Sequence, residues 1–368
     1  MKNPTSLDMQ KIRKQFPVLR QYIYVDTATS GLLYDGLLDW RQEHDLDLLI
    51  GGSKTGTKFN TLLSTTKDTV GAFFGCKREN VALVPNFSIG LNLLLEGMGN
   101  QQNILLLEGD YPSVNWPFQS RECRISFVKI NADLEEQILE KVKSDNINIL
   151  ALSLVQWLNG VKIDLDFLKT LKKEYPDLII IADGTQYCGT EKIDFESSGI
   201  DVLGASSYKW LLGGYGNGFM LFTDTVAAHF NCRTVGFNAA KGNLEGKDNI
   251  SFTKRFEPGH LDSLAFGSLN HSLQFLSGIG MDVIAAHIKD LAQKARAGFG
   301  DLGLLEDHVM ERGDYGPIFN ISVPEKVYTK LRENNIICAQ RGNGVRLSFH
   351  FYNTDKEIDK IMDVLRKN

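Results

Sequence analysis

Residues 179–222 read IIIADGTQYCGTEKIDFESSGIDVLGASSYKWLLGGYGNGFMLF. The runs IIIA, VLGA and GFMLF are apolar, short and rich in β-forming residues, and they are separated by polar and glycine-containing turns. Unbroken apolar runs of this length belong to strands covered on both faces, as in a parallel sheet packed between helices. The first two runs end on polar residues: Asp183 and Gln186 after one, Ser206 and Lys209 after the other. Ligands of open parallel sheets gather beyond the carboxyl ends of the strands, so these four side chains become candidates for chemistry.

The same texture extends outward. NVALVP precedes the helical pattern SIGLNLLLEGM, NILLLEG follows, and INILALSLV precedes LDFLKTLKKEY. Strands alternating with helices predict an α/β fold, a mostly parallel sheet sandwiched by helices. Another strand end, ILLLEGDYPS, delivers Asp110 and Tyr111. From about Phe256 the pattern changes to a long helical tract, two short β runs (FNISV and GVRLSFHF) and a terminal helix (DKEIDKIMDVLRK). This reads as a smaller α+β unit, with residues 21–255 forming a large domain and residues 1–20 plus 256–368 the small one. A cleft between two such units is the expected ligand site.

Composition narrows the function classes. The chain has 368 residues, 43% of them hydrophobic, and a formal net charge of -5, enough for a large core and without the basic footprint of a nucleic-acid binder. The first residues lack an apolar signal core, and no run reaches the roughly 18 apolar residues of a membrane span. The expectation is a cytoplasmic protein with no nucleic-acid or membrane partner. Five scattered cysteines without CxxC pairs fit reduced thiols, and neither cysteine nor histidine spacing suits a metal cage.

A lysine that leaves a buried strand and enters a glycine-rich turn is held near low dielectric, which favours its neutral, nucleophilic amine. A carboxylate on another strand end, Asp183, suits a pyridinium nitrogen that must stay protonated. Together they describe a pyridoxal phosphate arrangement. The glycine loop GGYGNG is no dinucleotide fingerprint, because it follows the lysine and lacks the G-x-G-x-x-G spacing. GGSKTG near residue 51 fails the P-loop pattern; both read as turns.

The stretch quoted above resembles the class V aminotransferase family of fold-type I pyridoxal phosphate enzymes, which includes cysteine desulfurases, kynureninase and isopenicillin N epimerase-like proteins. VALVPNFSIGLNLLLEGM, EGDYPSVNWPF, VQWLNGVKIDLDFL, RFEPGH and VRLSFHFYNTDKEID match in the same order. The resemblance implies that Lys209 forms an aldimine with pyridoxal 5'-phosphate, that Asp183 pairs with the ring nitrogen and that Gln186 bonds the ring oxygen. It also implies that Ser206 and Ser88 bind the phosphate with backbone N–H groups near Phe87, that Tyr111 stacks on the ring, and that Arg346 binds the substrate carboxylate. His260 would reach the phosphate of a neighbouring subunit in a homodimer.

Three departures bear on the reaction. Tyr208 precedes the lysine where many relatives carry histidine, Trp157 replaces the asparagine of desulfurases, and His260 replaces a threonine. The expected activity is that of an aminotransferase-like enzyme on an amino acid or related amine. Desulfurase, selenocysteine lyase-like and epimerase-like chemistry are the alternatives, as is a non-catalytic binding protein of the same fold. Cys338 lies in a short apolar run before a turn at Gly342–Gly344, too little chain for a mobile sulfur-accepting loop.

Overall fold

The computed structural model describes residues 6–367, so the ends of the expected small domain, residues 1–5 and 368, lie outside the described residues. In chain order the strands are β1 (Ile23–Tyr24), β2 (Val81–Val84), β3 (Asn103–Leu107), β4 (Arg124–Val128), β5 (Ile149–Ser153), β6 (Ile179–Asp183), β7 (Val202–Ser206), β8 (Gly218–Phe222), β9 (Ile318–Ile321), β10 (Ile336–Ile337), β11 (Ala339–Arg341) and β12 (Gly344–Ser348). A seven-stranded sheet has the order β2-β8-β7-β6-β5-β3-β4. Its pairings are parallel from β7 to β4, and β8 runs antiparallel to both of its neighbours. The α/β expectation holds.

Alternation along each strand divides the interior in two, because successive side chains point to opposite faces. Leu83, Leu105, Leu152, Ile180 and Leu203 enter one apolar cluster. Val84, Ile104, Ala151, Ile181 and Val202 enter the other. Helices Gly56–Phe74 and Ser263–Ile279 pack together over the first face, and helix Phe87–Leu95 covers part of the second. A third cluster joins Val25 to residues of β9, β12 and helices Met281–Asp301 and Asp355–Arg366.

Two sequence expectations needed adjusting. The long helical tract after residue 263 is two helices, broken at Gly280, whose φ of 97° continues no right-handed helix. The hairpin after Arg341 is tighter than expected: Arg341 already pairs with Gly344, leaving Gly342 and Asn343 as the connection. Among the described residues no helix is long and apolar enough to cross a membrane.

The amino-terminal segment ties the sheets together. β1 pairs with β10, Ser348 N–H donates to the Val25 carbonyl at 2.8 Å, and Ala28 N–H donates to Ser348 Oγ at 2.9 Å. The chain then runs to Gly31, whose N–H donates to the Tyr208 carbonyl at 2.7 Å. A Cβ there would lie 2.0 Å from the Lys209 carbonyl oxygen, so only glycine lets this segment close over the lysine.

Candidate active site

Register brings the strand ends together. Ser153 of β5 lies opposite Asp183 of β6, and Asp183 opposite Gly204 of β7, two residues before Ser206. After β7 the chain turns through Lys209 and a loop in which Leu212, Gly214 and Gly216 take positive φ. This sharp path returns the backbone to β8 and leaves the lysine at the end of the sheet. Lys209, Asp183, Gln186 and Tyr111 line one recess with Ser153, Val155, Trp157 and Thr185.

Lys209 is 6% exposed. Burial is the main reason that its amine is pulled down to about 8; Asp183 opposes this, and Arg346 adds to it. Its Nζ lies 5.6 Å from the ring centres of both Tyr111 and Tyr208. Burial raises Asp183 to about 6, against hydrogen bonds from Thr185 and the charge of Lys209. A carboxyl pushed up beside an amine pulled down is the signature of a site whose groups are tuned for proton transfer or nucleophilic attack.

The neighbours are fixed by hydrogen bonds that also define their free valences. Trp210 Nε1–H donates to Gln186 Oε1 at 2.7 Å, which orients the amide, and Gln186 Nε2 donates to the Ala28 carbonyl at 3.0 Å. Gln186, which lines the recess, therefore keeps a second Nε2 N–H to give. Phe87 N–H donates to Ser206 Oγ at 2.9 Å, leaving that hydroxyl its own proton to give. Asn86 caps the helix by accepting the Ile89 N–H, with Ser88 half-buried in its first turn. Ser206, Phe87 and Ser88 thus meet at a helix N-terminus, a setting that favours anions. Asp110, buried, accepts N–H bonds from Tyr111 at 2.6 Å and Ser153 at 2.8 Å, and so fixes the backbone that carries the Tyr111 ring. Trp157 meets that ring edge-on, centroids 5.9 Å apart.

Arg346 is buried between the strand ends and the amino-terminal segment. Its Nη1 donates to the Trp157 carbonyl and its Nη2 to Thr29 Oγ1, each at 2.7 Å, while Nε has no partner. Asp26 Oδ1 stands 3.9 Å from Nη2. Burial pulls the guanidinium down to about 10, still charged at neutral pH. His260 is not brought to this group: it is exposed, and its ring neighbour is Phe237 at 6.4 Å. Thr29, Asp26 and Thr185 were missed by sequence reasoning. Thr185 stood in plain view between Asp183 and Gln186, but Thr29 and Asp26 carry no local signal linking them to Arg346.

The sequence profile of the Aminotransferase class-V family matches residues 47–361. An uncharacterized aminotransferase of Bacillus subtilis (strain 168), YcbU, is 22% identical over 364 residues, covering 96% of both chains. The apo structure of cysteine desulfurase from Thermococcus onnurineus NA1 superposes with a TM-score of 0.85 at 19% identity, covering 100% of this chain and 98% of that one. A lysine-to-alanine mutant of C-DES, with glycine covalently linked to its PLP cofactor, gives 0.84 at 19% identity, covering 96% of this chain and 98% of that one. The sheet order, the buried lysine and aspartate on neighbouring strand ends and the extent of these matches converge: the chain belongs to the class V aminotransferase family and has the α/β fold of its pyridoxal phosphate enzymes.

Proposed function

We propose that this protein is a pyridoxal phosphate enzyme acting on an amino acid or related amine, with aminotransferase-like chemistry. The observation that carries this reading is the buried Lys209–Asp183 pair in one aromatic-walled recess. The donor set fits the cofactor group by group. Lys209 offers an amine for the aldehyde, Asp183 a carboxylate for the ring nitrogen, and Gln186 a donor for the ring oxygen. Ser206, Ser88 and the helix start at Phe87 offer donors for the phosphate, and Tyr111 an aromatic wall.

Bound pyridoxal phosphate supplies an electron sink for negative charge left on a substrate's α-carbon. The protein's part is to orient and to move protons. Arg346 binds the substrate carboxylate with a fork already held by Trp157 and Thr29, so little ordering remains to be done on binding. Lys209, once free, carries a proton to or from the substrate carbon, a task that suits an amine whose acidity lies near neutral pH. The rings of Tyr111 and Trp157 narrow the recess and limit water. The test is direct: purified protein given pyridoxal phosphate should turn yellow, and borohydride should fix the cofactor's mass on the Lys209 peptide. Protein that cannot be loaded would defeat the reading. Single-turnover spectra with a panel of amino acids would then identify the substrate.

A sulfur-accepting role for Cys338 is opposed by its surroundings. The thiol is 7% exposed between β10 and β11, and burial pushes it up to about 12, whereas an acceptor must be an accessible thiolate. Cys338→Ala is expected to leave turnover unchanged, with no persulfide on Cys338 by mass spectrometry after incubation with cysteine. A persulfide there, with sulfide release lost in the alanine variant, would promote the desulfurase reading.

The same reading includes a homodimer. Leu46, Leu49 and Ile50 share one face of helix Asp35–Gly51, and the last two are 80% and 84% exposed. Apolar surface in such a stripe favours burial against a second copy. Sedimentation of the loaded protein should give a dimer at micromolar concentration; a fully active monomer would contradict it.

A further inference from the structure

Thr185 is 7% exposed and lines the recess beside Asp183. Its backbone N–H donates to Asp183 Oδ1 at 2.8 Å. Its hydroxyl oxygen accepts the Ser206 N–H at 3.1 Å. An oxygen that accepts a backbone N–H on one side has a single proton to give on another, and the Asp183 carboxylate, already bonded to the Thr185 N–H, is an acceptor at the same residue. One small residue therefore links Asp183 at the end of β6, through its N–H, to Ser206 at the end of β7, through its hydroxyl. Ser206 is in turn bonded to Phe87 at the helix start. Valine has the same shape, so packing alone does not call for the hydroxyl.

We propose that Thr185 is a positioning residue: its hydroxyl donates to Asp183 and holds that carboxylate anionic and aimed, so that a pyridine nitrogen meeting it keeps its proton. The inference rests on the pyridoxal phosphate reading. Burial works against the anion and has already moved Asp183 to about 6, while hydrogen bonding from Thr185 works for it. Remove the hydroxyl and the carboxylate competes better for the proton it shares with its partner. The pair then shifts toward a neutral acid facing a neutral ring, and the electron sink weakens.

The experiment uses full-length protein loaded with pyridoxal phosphate labelled with nitrogen-15 in the ring, whose chemical shift reports ring protonation directly. Wild type and Thr185→Ser are expected to show the same pyridinium resonance at neutral pH. Thr185→Val is expected to move it toward neutral pyridine, with a roughly tenfold or greater rise in the unprotonated fraction, since a hydrogen bond to an ionised group is worth about a pKa unit or more. Thr185→Ala repeats the comparison if the valine variant does not fold. A wild-type resonance in either hydroxyl-free variant would overturn the inference, as would a serine variant that behaves like valine. Wild-type protein that takes up no cofactor overturns the functional reading itself, before any Thr185 variant is compared.

Discussion

Lys209→Ala should cut turnover by on the order of 10⁴-fold, because it removes the proposed nucleophile and proton carrier at once, yet the cofactor-free variant should melt no lower than wild type at pH 7. The amine is buried and its proton is held less tightly than in an unfolded chain. Above about pH 10.5 neither state carries the charge and burial costs nothing. Below about pH 8 the folded state must hold a charge in low dielectric, and that cost is fully present. The difference in melting temperature between variant and wild type should therefore shrink as pH rises from 8 to 10. A variant that melts well below wild type at pH 7 would mean that Lys209 serves the fold more than the chemistry.

Asp183→Asn should lower turnover by about 10²–10³-fold, the usual size for a preorganised electrostatic contact, while cofactor capture by Lys209 persists. The amide oxygen can still accept the Thr185 N–H, so geometry is kept while the ion pair is lost. The sign on capture is opposite to that on turnover. Asp183 is the main charge holding the Lys209 proton, so the variant amine deprotonates at lower pH, and the rise of the capture rate with pH should move down from about 8. Stopped-flow mixing with pyridoxal phosphate across pH 6–10 measures this. Unchanged turnover, or a capture profile moved upward, would remove Asp183 from its proposed role.

Much of this is legible in the amino-acid sequence alone. β2, β3, β5, β6, β7 and β8 were read correctly because strands covered on both faces need no polar residue until they end, and their ends carry the candidate groups. β4 escaped notice for the complementary reason. It lies at the sheet edge, Arg124 and Phe127 are exposed, and its sequence RISFV alternates too weakly to stand out. The partners of Arg346 were illegible on other grounds: Thr29 and the Trp157 carbonyl reach it from 317 and 189 residues away. A backbone carbonyl leaves no mark in a side-chain pattern.

The crossing of the amino-terminal segment over the lysine also has a consequence in time. A ribosome makes Val25, Ala28, Thr29 and Gly31 long before Ser348 and Arg346, to which the first three of these are bonded. Until residues 336–346 have emerged, the early segment has no β10 to pair with and Arg346, the proposed substrate anchor, is missing. Closing so long a loop is the slow, entropically expensive part of assembling a chain. The seven-stranded sheet, whose strands all lie within residues 81–222, can be complete well before that. A nascent chain halted before Arg346 would then present Lys209 and Asp183 without the segment that closes over them, as an open cradle rather than a working enzyme.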